Sequence, residues 1–243
     1  MSRTTHHADA TPPSSGESTH SPRYDGRMTP APSAYHQRVA EEKRALIVRA
    51  ATELFFLEFG YDRVSLARVA DSAGVSKATL FKQFPTKAAL FDAIVIDSWA
   101  ENDVADVPPA GDLTAGLTIL GRRYATLLSQ PGMADLFRIV IAELPRFPEL
   151  AKAHFSQGKL PYFESVQTYL TAEHEAGAAD IADPKMAATQ FLGMISNYLF
   201  WPSLVLPGWT VTPARTTAVV EEAVRTMVAR YGTGPAVENA RGR

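Results

Sequence analysis

Between Ser65 and Phe84 the chain reads SLARVADSAGVSKATLFKQF. Two short apolar runs flank Gly74-Val75, and a serine precedes each run. A serine in that place can accept one of the backbone N–H groups that a helix start leaves open. The spacing predicts a helix over about 66–73, a tight turn, and a second helix over about 77–83. Helix, glycine turn and helix form the local pattern of a helix-turn-helix. Val69, Ala70, Ala73, Val75 and Leu80 look inward and brace the pair. Alanine at 70 and 73 lets the two helices approach closely. Ser76, Lys77, Thr79, Lys82 and Gln83 then face out, with donors for phosphates and base edges.

Working outward, the chain reads as helix almost throughout. Upstream, Ile47, Ala51, Leu54 and Phe55 form one stripe of a helix over about 36–59, which Gly60 is placed to end. Downstream, Phe84-Pro85 stops the second short helix, and Thr86 caps another that runs to about 102. Further helices are expected over about 112–130, 133–143, 147–175 (with a break at Gly158 or Pro161), 184–206 and 213–231. Pro108-Pro109, Pro131-Gly132, Gly177 and Pro207-Gly208 separate them. Strand-like alternation never persists. The expected fold class is therefore all-α. A three-helix helix-turn-helix domain over 35–91 precedes a larger helical domain over 92–231.

The ends read differently. TPPSSGESTHSPRYDGRMTPAPS, within 1–34, holds too little apolar surface to offset the entropy of ordering. It is expected to be a disordered tail, and 232–243 a frayed terminus.

Charge is unevenly spread along the 243 residues, whose net value is −2. Residues 36–91 carry nine Lys/Arg against six Asp/Glu, and 92–231 carry ten against sixteen. A basic first third on an acidic remainder points to one part that meets a polyanion. Cysteine is absent, which excludes disulfides, thiolate catalysis and cysteine-held zinc. A reducing cytoplasm is the expected location. The most apolar stretch, Tyr198 to Pro207, falls short of the roughly 20 residues a membrane span needs. No apolar core of a secretory signal is seen, so none is expected.

No phosphate loop, nucleophile elbow or acid/base pair is found, so the chain does not read as an enzyme and implies no cofactor. His6-His7 lies in the tail. His154 and His174, the latter flanked by Glu173 and Glu175, lack metal-ligand spacing. No metal site is expected.

Within Leu46–Ile94 the order and spacing of several elements agree with one known pattern. These are Ala50-Ala51 with Leu54-Phe55, Gly60-Tyr61, Val69-Ala70, Ala73-Gly74-Val75-Ser76, Thr79-Leu80-Phe81, Phe84, and Lys87 with Leu90-Phe91. Over about fifty residues the chain resembles the DNA-binding domain of the TetR/AcrR family of bacterial transcriptional regulators. Two departures stand out. Phe81 replaces the family's usual tyrosine, losing a hydroxyl used on phosphate. Gln83 stands where histidine or tyrosine is frequent. Ala142 to Leu150, with Asp183-Pro184 and Ala187-Ala188, is similar to the AefR-like C-terminal subgroup.

The resemblance implies a homodimeric regulator, a repressor, that binds a palindromic operator on double-stranded DNA. A small apolar effector in the C-terminal domain would release it. The DNA-binding candidates are Ser65, Ser76, Lys77, Thr79, Phe81, Lys82, Gln83 and Lys87. Among them Lys77, Lys82 and Lys87 neutralise phosphates. Gln83 and Lys77 read base edges, and Thr79 can touch a thymine methyl.

Effector-lining candidates are Phe137, Tyr162, Asn197 and Trp201. The cluster Phe191, Met194, Asn197, Tyr198 and Trp201 reads as pocket lining, as core, or as dimer interface. The last two helices, with the stripe Val220, Val224, Met227 and Val228, are the expected dimer face. A reading of a different class is a helical small-molecule sensor or carrier acting through protein partners.

Overall fold

Caps and imino acids set the helix boundaries. A computed structural model describes residues 34–100, 106–206 and 208–233. The expected tail and most of the expected frayed terminus lie outside them. Helix α1 (Ala34–Glu53) continues as a π-helical turn, Leu54–Phe59, and stops at Gly60, whose φ of 78° suits glycine. Next come α2 (Leu66–Ser72), α3 (Lys77–Gln83) and α4 (Lys87–Ala100). Ser65 Oγ accepts Arg68 N–H, Ser76 Oγ accepts Thr79 N–H and Thr86 Oγ1 accepts Ala89 N–H, so each short helix has the predicted cap.

The larger half comprises α5 (Leu113–Leu128), α6 (Met133–Glu143), α7 (Pro148–Ala153), a second π-helical turn (His154–Lys159), α8 (Leu160–Glu175), α9 (Pro184–Leu199), α10 (Trp201–Val205) and α11 (Pro213–Tyr231). Asp112, Asp183 and Thr212 cap α5, α9 and α11, the last two ahead of a proline at the first helical position. Among the described residues there is no strand, only one isolated bridge between Ala179 and Gly232.

Two breaks fall beside prolines, the first expected and the second not. The break expected at Gly158 or Pro161 within 147–175 is a wide turn, His154–Lys159, that contains Gly158. Pro161 cannot bond back to the carbonyl four residues earlier, and the π turn takes up that mismatch. The helix expected over 184–206 breaks at Phe200, because Pro202 has no N–H for the preceding turn.

Helix α5 is the centre of the C-terminal half and packs against α8, α9 and α11. It tolerates this crowding because two of its positions lack side chains. A Cβ on Gly116 would lie 2.0 Å from Tyr169 Oη, and one on Gly121 would lie 2.8 Å from Val220 Cγ1. The expectation that Val220, Val224 and Met227 form a dimer face needs correction. All three are buried, because α5 and α9 cover that side of α11 within one chain. An apolar helical stripe says that something covers it, and here the cover is intramolecular.

Candidate nucleic-acid interface

The brace behind α3 is apolar and closed. Val69, Ala70, Leu80 and Phe84 are buried, with Ala73 and Val75 half-buried against the same core. Gly74 supplies the turn at φ 65°. Arg44 of α1 lies 4.8 Å from the centre of the Phe84 ring, a cation–π contact that fixes the end of α3.

On the other side of α3, Ser76, Lys77, Phe81 and Lys82 are exposed. Phe81 is 48% exposed, a large apolar ring left in water beside two lysines. Ser76 and Thr79 share a 2.8 Å hydroxyl contact while Ser76 also caps the helix. Thr79 is half-buried and Ser65 exposed at the head of α2. Six of the eight DNA-binding candidates thus lie on α3 or at the heads of α2 and α3, and among the described residues none of the six is hydrogen-bonded to another helix.

Gln83 and Lys87 are held elsewhere. Gln83 Nε2 donates to the Ala40 carbonyl at 2.9 Å, tying α3 to α1. Lys87 Nζ donates to the Asp62 carbonyl at 3.1 Å and sits 4.4 Å from the Tyr61 ring centre. Burial lowers the Lys87 pKa, against the pull of the Asp62 and Glu143 carboxylates. In this arrangement Lys87 is a strut at the start of α4 rather than an open phosphate ligand.

The same corner joins the two halves of the chain. Tyr61 packs against Phe55, Phe91 and Phe147 at 5.3, 5.6 and 5.1 Å between ring centres. Burial, with nearby acidic groups, pushes its hydroxyl up to about 12. Arg146 Nη1 reaches Asp62 Oδ2 at 2.8 Å, and Asp62 N–H approaches Glu143 Oε1 at 3.4 Å. The segment Arg146-Phe147, within the Ala142–Leu150 stretch that resembles the AefR-like subgroup, is therefore a latch. The sequence does not reveal what it grips, because Asp62 lies more than eighty residues away.

The four effector-lining candidates do not converge. Tyr162 is buried, stacks on Tyr124 at 5.2 Å and donates to the Leu120 carbonyl at 2.6 Å. Phe137 is half-buried against Phe200 and His154. Asn197 and Trp201 are exposed on the outer side of the bundle. Asn197 lines a surface groove between α9 and α11 of about 550 Å³, with Met194, Tyr198 and Val219. The break at Phe200 divides the stripe that runs from Phe191 to Trp201.

His154, weighed in sequence only as a metal ligand, is instead enclosed by aromatic rings. His174 is used locally, its Nδ1 accepting Ile181 N–H at 3.3 Å. No described helix is long and apolar enough to cross a membrane.

Comparison with known proteins agrees with this geometry. Residues 47–94 match the sequence model of bacterial regulatory proteins of the tetR family. Residues 115–233 match that of the AefR-like transcriptional repressor C-terminal domain. An uncharacterised HTH-type transcriptional regulator of Mycobacterium tuberculosis is 28% identical over 178 residues, 72% of this chain and 83% of its own. The crystal structure of a TetR-family regulator from Mesorhizobium loti is 26% identical with a TM-score of 0.70, covering 80% of this chain and 98% of that one. The flavonoid-responsive regulator FrrA is 28% identical with a TM-score of 0.65, covering 79% and 98%. The helix-turn-helix, the all-helical C-terminal half and these matches agree: the chain belongs to the tetR family of DNA-binding transcriptional regulators and carries an AefR-like C-terminal domain.

Proposed function

We propose that the protein is a dimeric repressor that holds a palindromic operator with two copies of α3 and releases it when a small aromatic effector binds. The observation that carries this reading is the outward face of α3. Ser76, Lys77, Phe81 and Lys82 stand in solvent on a helix whose opposite face is sealed by Leu80 and Phe84. Lys77 and Lys82 neutralise phosphates, and the N-terminal turn of α3 enters the major groove. Ser65 adds a hydroxyl to the backbone contacts, and Thr79 and Phe81 offer apolar contact to base edges.

A seven-residue recognition helix covers few base pairs. Two-fold readers place a second copy one helical turn away, about 34–36 Å, or a multiple of it. The groove between α9 and α11 is the face for that pairing. Met194, Asn197, Tyr198 and Val219 line it, and Trp201 is exposed near it on the neighbouring short helix. Two such faces close into a four-helix bundle around the axis. An aromatic effector is supported by the aromatic content of the C-terminal half and by the similarity to a flavonoid-responsive regulator.

Gel-shift titration against salt tests the reading. Affinity should fall linearly on a log–log plot, with a slope of about −0.9 per phosphate neutralised. Two chains should bind each palindrome. Salt-independent binding, or full affinity with one chain per palindrome, would overturn it and favour a carrier that acts through protein partners.

A further inference from the structure

The last turn of α4 and the π-helical turn after α7 bring a histidine into an aromatic cluster. His154 is 6% exposed. Its ring centre lies 4.3 Å from that of Phe137, nearly edge-on, and 5.7 Å from that of Trp99. Phe137 packs in turn on Phe200 at 4.7 Å. Among the described residues, three buried polar atoms in this cluster have no hydrogen-bond partner: Trp99 Nε1 and both ring nitrogens of His154. Folded proteins contain few such atoms, so three in one place require a reason.

The chemistry of the three atoms defines what would satisfy them. Burial, and secondarily the charge of Lys159, lowers the His154 pKa to about 4, so the ring is neutral near pH 7. A neutral imidazole presents one N–H and one lone pair, and the indole adds a second N–H. A phenolic hydroxyl complements two of them, donating to the bare imidazole nitrogen and accepting from the indole N–H, and a second hydroxyl would take the imidazole N–H on the other side of the ring. The surrounding rings of Phe137, Phe200 and Trp99 suit the aromatic body that carries such a hydroxyl.

The position matters as much as the chemistry. Leu90, Phe91 and Ile94 of α4 are buried and α4 packs against α1, while Trp99 lies in the last turn of the same helix. The indole rests on Gly158, where a Cβ would come within 2.5 Å of Trp99 Nε1. These side chains touch, so a ligand can enter only by parting α4 from the π turn. That displacement would reach α3 through α1, which packs on α4 and is tied to α3 by Gln83–Ala40 and Arg44–Phe84. π turns inside helices occur frequently at functional sites, and this one begins at His154 itself.

We propose that Trp99 and His154 are the polar anchor of an effector site between α4 and the π-helical turn, and that its ligand is a hydroxylated aromatic molecule. The proposal rests on the effector-released reading above and adds to it a place and a chemical class.

The test uses the full chain and two probes of one skeleton, naringenin with its hydroxyls and flavanone without them. Calorimetric titration of the wild type should give at least about tenfold tighter binding of naringenin, the worth of one buried hydrogen bond. Trp99→Phe and His154→Phe keep an aromatic ring and remove the polar atoms. Each should collapse that preference toward one, while His154→Gln, which restores a donor and an acceptor, should recover part of it. The melting temperature of the unliganded His154→Phe protein should rise, because two unpartnered atoms are removed.

Wild type that binds both probes equally, or neither, overturns the assignment. So do variants that keep the wild-type preference, or a His154→Phe melting temperature that falls. The broader reading fails separately. If a panel compound releases the wild type and both variants from the operator alike, the effector reading stands and this site does not. If no compound releases the wild type, both fall.

Discussion

The Arg146 guanidinium and the Asp62 carboxylate meet at 2.8 Å across the joint between the helix-turn-helix and the C-terminal half. Both side chains are substantially exposed, so the pair contributes little to global stability, under about 1 kcal/mol. Its expected effect is local. In Arg146→Ala or Asp62→Ala, amide exchange over residues 60–64 and 143–147 should quicken together, with the global unfolding free energy nearly unchanged. Exchange that stays slow in both segments would show that Tyr61 and Phe147 hold the joint without the ion pair.

The lysines divide by environment. Lys82→Ala should weaken binding to all DNA sequences alike and reduce the salt slope by about one. Lys87→Met should leave the slope intact and lower stability by about 1 kcal/mol, because it loses the Asp62 carbonyl and the Tyr61 ring. Gln83→Ala should also act uniformly across sequences, since its amide ties α3 to Ala40. Gel shifts over a salt series, with a binding selection for Gln83→Ala, measure all three. A changed sequence preference in Gln83→Ala would return that residue to base reading.

Acid should destabilise the fold through His154. Its pKa rises from about 4 in the folded chain to 6.5 in the unfolded one. The unfolded state therefore binds the extra proton first. Stability is full above pH 6.5 and falls as the pH drops toward 4, by about 3 kcal/mol in all. His154→Phe should flatten that limb of a denaturant-derived stability curve. An unchanged limb would mean that other groups govern it.

The two apolar sides of α11 predict opposite outcomes. Ala218→Arg with Val219→Glu places charge in the outer groove and should yield a helical monomer without specific operator binding. Val224→Arg with Met227→Glu places charge in the core and should unfold the chain instead. Light scattering and circular dichroism together distinguish the two.

Gly116→Ala should cost several kcal/mol, at or above the usual range for overpacking. The added methyl would collide with the Tyr169 ring, whose hydroxyl lies 2.8 Å from the Asp112 carbonyl and 2.5 Å from Glu173 Oε1. Chemical denaturation measures the loss, and a loss below about 1 kcal/mol would mean that α5 and α8 can separate cheaply.

Helix existence and most helix ends were legible because they depend on local chemistry. Ser65, Ser76, Thr86 and Pro184 act within three or four residues of themselves. The outward face of α3 was legible for the same reason. The faces of α9 and α11 were not. Periodicity shows that Val220 is covered, but whether α5 or a second chain covers it depends on Gly121, about a hundred residues away. The joint at Asp62 and the enclosure of His154 likewise arise from pairs distant in sequence.

The two π turns also bear on how this chain tolerates changes in length. In a regular helix each residue advances the rotation by 100°, so deleting one swings every later side chain onto another face. A π turn already carries one residue more than the regular helix needs. Removing Leu57 from Leu54–Phe59, where no proline follows within the helix, should restore an ordinary helix up to Gly60 and leave the face before the turn in phase. The same deletion in His154–Lys159 would instead bring Pro161 against a regular-helix carbonyl and kink the segment, so the two turns differ in the change of length they accept.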